Sequence, residues 1–461
     1  MKPHPRPLLV RAAGVVCLCA GVTRADPGPP PGPVDVPVPG QENGGADANE
    51  PSESTARVIA RDALFVPKLV VETVQLPFQG AVYLLDRYQL EDLYYRTFYN
   101  DHRTVGVIPT AAYQTGYGLT AGGELVATDV LGEHEHATLD ALYGGAYSEV
   151  LSGWADSGHR LDPLVLRVDA DFTRRPRDPF YGIGNGDLGP RPQMAVDPLT
   201  SDTAYATYLR YQELRVAASA DVRVIDDVHV IGRAAATELA FADSAVATPV
   251  TAVYMPDDLV GFEHGVAHAD GELELRWDRR RPASILESTQ HSSGWLASGF
   301  AARVHQLDGG ADFTRYGVDL QDYIHLGFGP RMLVVRVLGE GVTGAVDQVP
   351  FSELPWLGGD FLRGYSFERF RDRVAAVGTV QYVWDLTHVC NAYLFVDAGR
   401  VYSSLDAMTP DHLRVGYGIG IDVHGEDRGF LFQGSIASSI DGGLMLSAAF
   451  NPILSQRPRW R

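Results

Sequence analysis

Two histidines flank a glutamate in the sequence GEHEHATL, as His134, Glu135 and His136. Imidazole and carboxylate groups are common ligands of Zn²⁺ in proteins, so this spacing makes a metal site one interpretation. Histidines in such a polar turn are more commonly hydrated than metal-bound, and we favour that second interpretation. The sequence therefore predicts no metal site.

The sequence also lacks the motifs of several common enzyme classes. No G-x-S-x-G nucleophile elbow occurs, which argues against a fused patatin-like lipase. Neither a Walker A motif nor a dinucleotide-binding fingerprint is present. We expect a protein that is not an enzyme and that uses no cofactor.

A run of charged residues in DFTRRPRDP is a further candidate for chemistry. It stands at the end of a predicted strand, where charged side chains usually meet water. We interpret it as a solvated rim, made of Asp171, Arg174, Arg175, Arg177 and Asp178.

The last candidate is divided between two segments near the C-terminal end. The first, from Gln348 to Arg373, has no alternating pattern and contains Arg363, Gly364 and Tyr365. In the second, NAYLFVDAGRVY, Leu394 and Val396 share one face of a strand. The opposite face then carries Phe395, Asp397 and Gly399. If that face is enclosed and shielded from water, the carboxylate of Asp397 requires a nearby cation, and arginine is the best bidentate partner.

Strands must position these residues, because alternation of apolar and polar side chains dominates the sequence from Thr104 to Phe450. In GELELRWD, for example, Leu273, Leu275 and Trp277 fall on one face, and charged residues fall on the other. Such alternation over eight to twelve residues is typical of a strand between lipid and a barrel lumen. A soluble β-sandwich also alternates, but its strands are shorter.

We therefore predict an all-β fold, a closed antiparallel transmembrane β-barrel of about sixteen strands. Closure is required because an open edge in hydrocarbon leaves backbone donors unpaired. The region 200–243 fits one long strand or two short ones. The predicted strands begin near residues 104, 117, 135, 162, 203, 216, 229, 266, 294, 312, 330, 374, 390, 412, 427 and 442.

The composition is that of a soluble protein, with 45% hydrophobic residues, but it also fits a barrel whose strands face lipid at every second position. No apolar run of about 20 residues follows residue 25, which excludes a helical membrane protein. The net charge of −20 argues against a nucleic-acid partner. An acidic, halophile-like proteome would also explain this charge.

Four segments make up the chain. Residues 1–25 are predicted to be a secretory signal peptide, since Lys2, Arg6 and Arg11 precede a short apolar core that is too short for a membrane anchor. Residues 26–60 form a Pro/Gly-rich linker that we expect to be disordered. Residues 61–103 form a periplasmic helical segment, with a helix over about 79–99, and residues 104–461 form the barrel. Cys390 is the one cysteine after the signal, which excludes an internal disulfide.

The RGY sequence in a proline- and glycine-containing segment, followed by F-x-D-x-G, resembles the BamA/TamA superfamily of outer-membrane barrels, the bacterial surface antigen family. FYGIGNGD, at Phe180 to Asp187, is similar to another stretch common in that family. The resemblance covers about residues 100–450 and implies that Arg363 folds back into the lumen and pairs with Asp397. Related proteins often place a glutamate where this chain has Gln381. A surface loop merely capped by Arg363 is the alternative.

The resemblance also implies a function at the bacterial outer membrane, in assembly, insertion or translocation of proteins or lipids. Its partners would be outer-membrane lipid and client outer-membrane or secreted proteins, without nucleic acid or a small-molecule cofactor. We expect no POTRA domain, because only the linker and a helix precede the first strand. A passive pore or transporter and a non-transporting surface antigen are the alternatives.

Overall fold

The computed structural model describes residues 90–145, 148–281, 293–326, 330–387, 390–424 and 430–450. The predicted signal peptide, the linker and residues 61–89 of the predicted helical segment lie outside the described residues, as do residues 451–461. A helix, α1, covers Leu90–Phe98 and precedes the first strand. In the described ranges, no helix combines the length and the apolar character needed to cross a membrane.

Sixteen strands form one closed antiparallel barrel, as predicted, and each strand pairs with its neighbours in sequence. Closure comes from pairing of the first strand with the last. The strands are Val105–Gln114 (β1), Gly118–Thr128 (β2), His136–Gly144 (β3), Ser148–Asp156 (β4), Leu164–Phe180 (β5), Thr207–Ile225 (β6), Val228–Asp243 (β7), Val266–Asp278 (β8), Gly294–Gln306 (β9), Phe313–His325 (β10), Arg331–Val342 (β11), Val374–Thr387 (β12), Cys390–Tyr402 (β13), Arg414–His424 (β14), Phe430–Ser439 (β15) and Met445–Phe450 (β16).

The predicted number of strands is confirmed, although two errors cancel within it. The structure has one long strand, β6, where the list of starts had two near residues 203 and 216. It also has β4, for which no start was predicted. The long strand is one continuous ladder because residues 209–225 pair without interruption, apart from one register shift near residue 224, against β7.

The two faces of the barrel wall have opposite polarity. On β8, Leu273 and Leu275 are 62% and 58% exposed on the outer face, whereas Glu272 and Glu274 are 8% and 2% exposed on the inner face. This arrangement is the inverse of a water-soluble protein, and burial in lipid is what makes an outer surface of leucines favourable.

The longest connections between strands leave the same end of the barrel. Residues 181–206, 244–265 and 343–373 all follow odd-numbered strands, so they lie at the end away from α1, which we call the far end. Residues of the first two connections pack with Phe351, near the start of the third connection, in an apolar cluster. Its buried members are Phe180, Leu209, Val250, Val253, Tyr254, Leu259, Phe262 and Phe351.

Candidate functional site

The connection formed by residues 343–373, which we call the inner loop, packs against the inner face of the barrel. Leu357 and Leu362 are fully buried, in a cluster with Leu338 of β11 and Val401 of β13. Burying a leucine side chain contributes about 1.5–3 kcal/mol, so these contacts hold the loop against the wall. Two short strands within the loop, Trp356–Leu357 and Phe370–Arg371, pair with each other and close its base.

Arg363 stands near the middle of this loop and faces Asp397 of β13. Its Nε and Nη2 atoms each donate a hydrogen bond of 2.8 Å to a different oxygen of the carboxylate. The backbone N–H of Arg363 donates a third bond, of 3.0 Å, and the Thr379 hydroxyl donates a fourth, of 2.9 Å. Asp397 is 1% exposed, so these four bonds replace the water that its charge would otherwise require.

The electrostatics of this pair keep the arginine charged. Burial opposes the positive charge, but the charge of Asp397 and the hydrogen bonds to it outweigh burial. The pKa of Arg363 is therefore raised above its ordinary value. An always-charged side chain can hold the loop at any physiological pH.

The F-x-D-x-G positions each contact the inner loop in a different way. The guanidinium carbon of Arg363 lies 3.5 Å from the centre of the Phe395 ring, a cation–π contact. At Gly399 an added Cβ would lie 3.0 Å from Leu357 and 2.8 Å from the Ala376 carbonyl oxygen, so glycine makes room for the loop. The structure thus brings Phe395, Asp397 and Gly399 together with Arg363.

Gln381 joins the same group from β12. Its side-chain oxygen accepts a hydrogen bond of 3.2 Å from Nη1 of Arg363. Gln381 is opposite Phe395 in the strand register, and Thr379 is opposite Asp397. An amide therefore occupies the position where related proteins often have a second carboxylate, and the carboxylate that is hydrogen-bonded to Arg363 is that of Asp397.

Gly364 and Tyr365 face the last strands of the barrel. Gly364 has a φ of +95°, and an added Cβ would lie 2.1 Å from the Ser438 carbonyl oxygen. Only glycine meets both requirements. The Tyr365 hydroxyl donates a 2.8 Å hydrogen bond to Asp441, in the turn between β15 and β16.

Glycines of β14 serve close packing. An added Cβ at Gly416 would lie 1.6 Å from the carbonyl oxygen of Arg363, and one at Gly420 would lie 2.1 Å from the Tyr393 ring. β14 still pairs with ten residues of β13. Relief of crowding, rather than weak strand pairing, therefore explains these glycines.

FYGIGNGD, the second stretch noted in the sequence, contacts the inner loop and its surroundings. The backbone N–H of Gly184 donates to the Arg371 carbonyl at 2.7 Å, and Arg369 donates to the Gly186 carbonyl at 2.6 Å. Asn185 exchanges hydrogen bonds with the backbone of Val401. This stretch therefore fixes the base of the inner loop from the neighbouring far-end connection.

A solvated rim is the wrong interpretation for part of the charge run. Arg175 and Asp178 belong to β5, and Asp178 is only 4% exposed. Asp178 accepts hydrogen bonds from Arg175, at 3.2 Å, and from the Tyr117 hydroxyl, at 3.0 Å. A register shift between Arg175 and Asp178 turns Asp178 to the same inner face as Arg175, and no spacing in the sequence reveals it.

Sequence reasoning also missed an ionic contact at the start of the inner loop. Glu353, 3% exposed, lies 3.5 Å from Arg315 of β10 and 3.3 Å from His268 of β8. All three groups are buried, so the loop has a charged attachment to the wall at both Arg363 and Glu353. Charged residues on the predicted inner faces of β8 and β10 were the signal in the sequence that could have indicated this contact.

The histidines of GEHEHATL turn toward different neighbours. His134 lies edge-on to His159, whereas His136 stacks on Trp154 at 4.9 Å. Across the residues that the structure describes, no group of three or more His, Cys, Asp or Glu side chains is arranged to hold a metal ion.

The family model that matches the chain is the Omp85 superfamily domain, over residues 130–425. A comparison with curated protein sequences gave no match. Among solved structures, BamA from Haemophilus ducreyi lacking POTRA domains 1–3 is 12% identical with a TM-score of 0.52, covering 75% of this chain and 70% of that one. At this identity the likeness concerns the fold.

Two CdiB structures have lower TM-scores. CdiB from Acinetobacter baumannii is 9% identical with a TM-score of 0.46, and CdiB from Escherichia coli is 10% identical with a TM-score of 0.48. The matches cover 75% of this chain and 59% and 62% of those chains. The family match covers more than half of the chain. Together with the barrel, it shows that this protein belongs to the Omp85 superfamily, in the bacterial outer membrane.

Proposed function

We propose that this barrel assists the insertion, assembly or translocation of proteins, or of lipids, at the outer membrane. The observation that carries the proposal is the inner loop, attached through Arg363 and Asp397 inside a closed barrel, next to the junction of its first and last strands. Its partners would be outer-membrane lipid and unfolded outer-membrane or secreted client chains.

The junction between β1 and β16, which we call the seam, supports this proposal physically. Only four residue pairs join these strands among the described residues, whereas ten join β1 to β2. Each backbone hydrogen bond contributes about 0.5–1.5 kcal/mol net, so two strands joined over a short stretch of ladder separate at lower cost than two joined over a long one. A freed strand edge is a template on which another chain can add a strand.

The proposal is tested by reconstituting the purified mature chain in liposomes and measuring how fast a denatured test barrel folds into them. Liposomes without the protein set the basal rate. We expect the protein to accelerate folding and Arg363→Ala to abolish the acceleration. Arg373→Ala is the matched control, since Arg373 belongs to the same loop but its guanidinium donates to the Gly344 carbonyl.

Two outcomes would contradict the proposal. Equal acceleration by the Arg363→Ala protein would mean that the attached loop is irrelevant to the activity. No acceleration, together with ion leakage from the same liposomes, would favour the passive pore.

A further inference from the structure

The inner loop lies next to the seam as well as against β12 and β13. A small cavity of about 30 Å³ separates the loop from the seam. Its lining includes Gln114 and Thr115 at the end of β1, and Leu446 and Ser447 of β16. Asp360 and Arg363 line the loop side. The loop and the two seam strands therefore line one shared cavity, and the loop contacts a turn on each side of the seam.

On the β16 side, the loop contacts the turn that leads into the last strand. Tyr365 is 7% exposed, and its hydroxyl donates to Asp441 at 2.8 Å. Burial, together with the hydrogen bond to Asp441, raises the pKa of Tyr365 to about 12, so the hydroxyl remains a donor at neutral pH. Arg414 also donates to Asp441, at 2.8 Å, and fixes the orientation of the acceptor.

On the β1 side, the same stretch of loop contacts the turn that follows the first strand. The Phe367 ring lies edge-on to the Tyr117 ring, with 5.3 Å between ring centres. Hydrogen bonding to Asp178 holds the Tyr117 hydroxyl, and the Arg175 guanidinium lies 5.5 Å from the centre of the Phe367 ring. Gly359 makes room for the Phe367 ring, because an added Cβ would lie 2.8 Å from it.

We infer that Tyr365 and Phe367 are positioning residues that hold the two sides of the seam together. Two residues apart in the loop, they contact the turns at opposite sides of the junction between the first and last strands. The seam then opens only when the loop leaves one of these turns. This regulation of opening rests on the proposed function, whereas the bridge itself is a property of the folded barrel.

Amide hydrogen exchange of the folded protein in liposomes, without any client, tests the bridge. The variants are Tyr365→Phe, which removes only the hydroxyl, Phe367→Leu, and the two combined. We expect amides at residues 111–115 and 446–449 to exchange about fivefold to tenfold faster in each single variant, and faster still in the combination. Exchange in the β8–β9 ladder remains unchanged.

Two substitutions of the same chemistry in the far-end apolar cluster are the matched controls. Tyr254→Phe removes a hydroxyl that bonds to the backbone of Tyr205, and Phe351→Leu removes a ring that packs on Phe180. Neither residue contacts a seam turn in the interactions described above, so we expect seam exchange to stay at the wild-type rate.

Unchanged seam exchange in the variants, or equal acceleration in the controls, would overturn the inference. If Phe367→Leu does not give a heat-modifiable folded band on a gel, Tyr117→Leu removes the same contact from the other side. Faster seam exchange in a protein without insertion activity would leave the bridge standing and refute the proposed function. Insertion activity with unchanged seam exchange would refute the bridge and leave the proposed function standing.

Discussion

Asp397 shows how one buried charge organises the inner loop at the scale of single residues. A carboxylate that is 1% exposed, with four hydrogen-bond donors, is stable only while its arginine partner is present. Removing one member of such a pair costs about 3–5 kcal/mol, because an uncompensated charge is left behind. The ion pair therefore disfavours every loop conformation that moves Arg363 away from Asp397.

Gly416 is the residue that most directly tests how closely the loop approaches the wall. We predict that Gly416→Ala destabilises the protein by about 1–3 kcal/mol, because the new methyl group overlaps the Arg363 carbonyl. Urea unfolding followed by the heat-modifiable gel shift measures this change.

Gly271→Ala and Gly232→Ala are the controls for that substitution. Both glycines lie in strands, β8 and β7, with open space where a Cβ would stand. Alanine there should be neutral or slightly stabilising, since glycine is a poor strand residue. A loss of stability in the controls as large as at Gly416 would remove the loop from the explanation.

Alternation of side chains was enough to place Phe395, Asp397 and Gly399 on one face. The same reasoning failed at Asp178, because a register shift reverses faces without a local signal in the sequence. It also gave no reason for the glycine at position 399, whose role depends on Leu357, more than forty residues earlier. The faces of a strand were predictable and the resemblance implied the Arg363–Asp397 pair, whereas the packing of Leu357 against Gly399 was not predictable.

At the scale of elements, strands were recognisable where their two faces differ in polarity. β8 alternates between buried and exposed residues along most of its length, and it was predicted. β4 shows almost no alternation in burial, and it was missed. β6 has nineteen residues, longer than the roughly ten that a bilayer requires, so it looked like two strands.

The seam is the element whose opening the proposed function requires. Ala112 and Ala449 are register partners there. We predict that the double variant Ala112→Cys, Ala449→Cys forms a disulfide, because paired strand residues lie within disulfide distance. The disulfide should abolish acceleration of test-barrel folding, and a reductant should restore it.

A disulfide elsewhere in the wall controls for mere rigidity. Ala217 and Ala235 are register partners on β6 and β7 and are buried, at 3% and 7% exposure. Cysteines at these two positions should cross-link without loss of activity. Full activity of the oxidised seam variant would show that the strands need not separate.

At the scale of the whole molecule, acidic residues outnumber basic ones among the buried residues that the structure describes. Among the buried polar residues that the structure describes, eleven are Asp or Glu and three are Arg. The net charge of −20 agrees with this excess, although composition alone could not tell an acidic lumen from an acidic surface. Only the inverted polarity of the wall, read together with strand register, assigns many of these charges to the interior.

The acidic lumen and the inner loop together make a prediction about conductance. Gly341 and Val374, on either side of the loop, are register partners, so a short glycine–serine linker can replace residues 344–372. We expect the intact barrel to conduct little in planar bilayers, because the inner loop and the far-end connections occupy its mouth. The shortened barrel should give large single-channel steps that favour cations, since acidic side chains line the path.

Replacing residues 404–410 by the same linker is the control and should leave the conductance unchanged. Conductance by the intact protein equal to that of the shortened one would make it a passive pore, and anion preference would mean that the arginines of the lumen dominate the field.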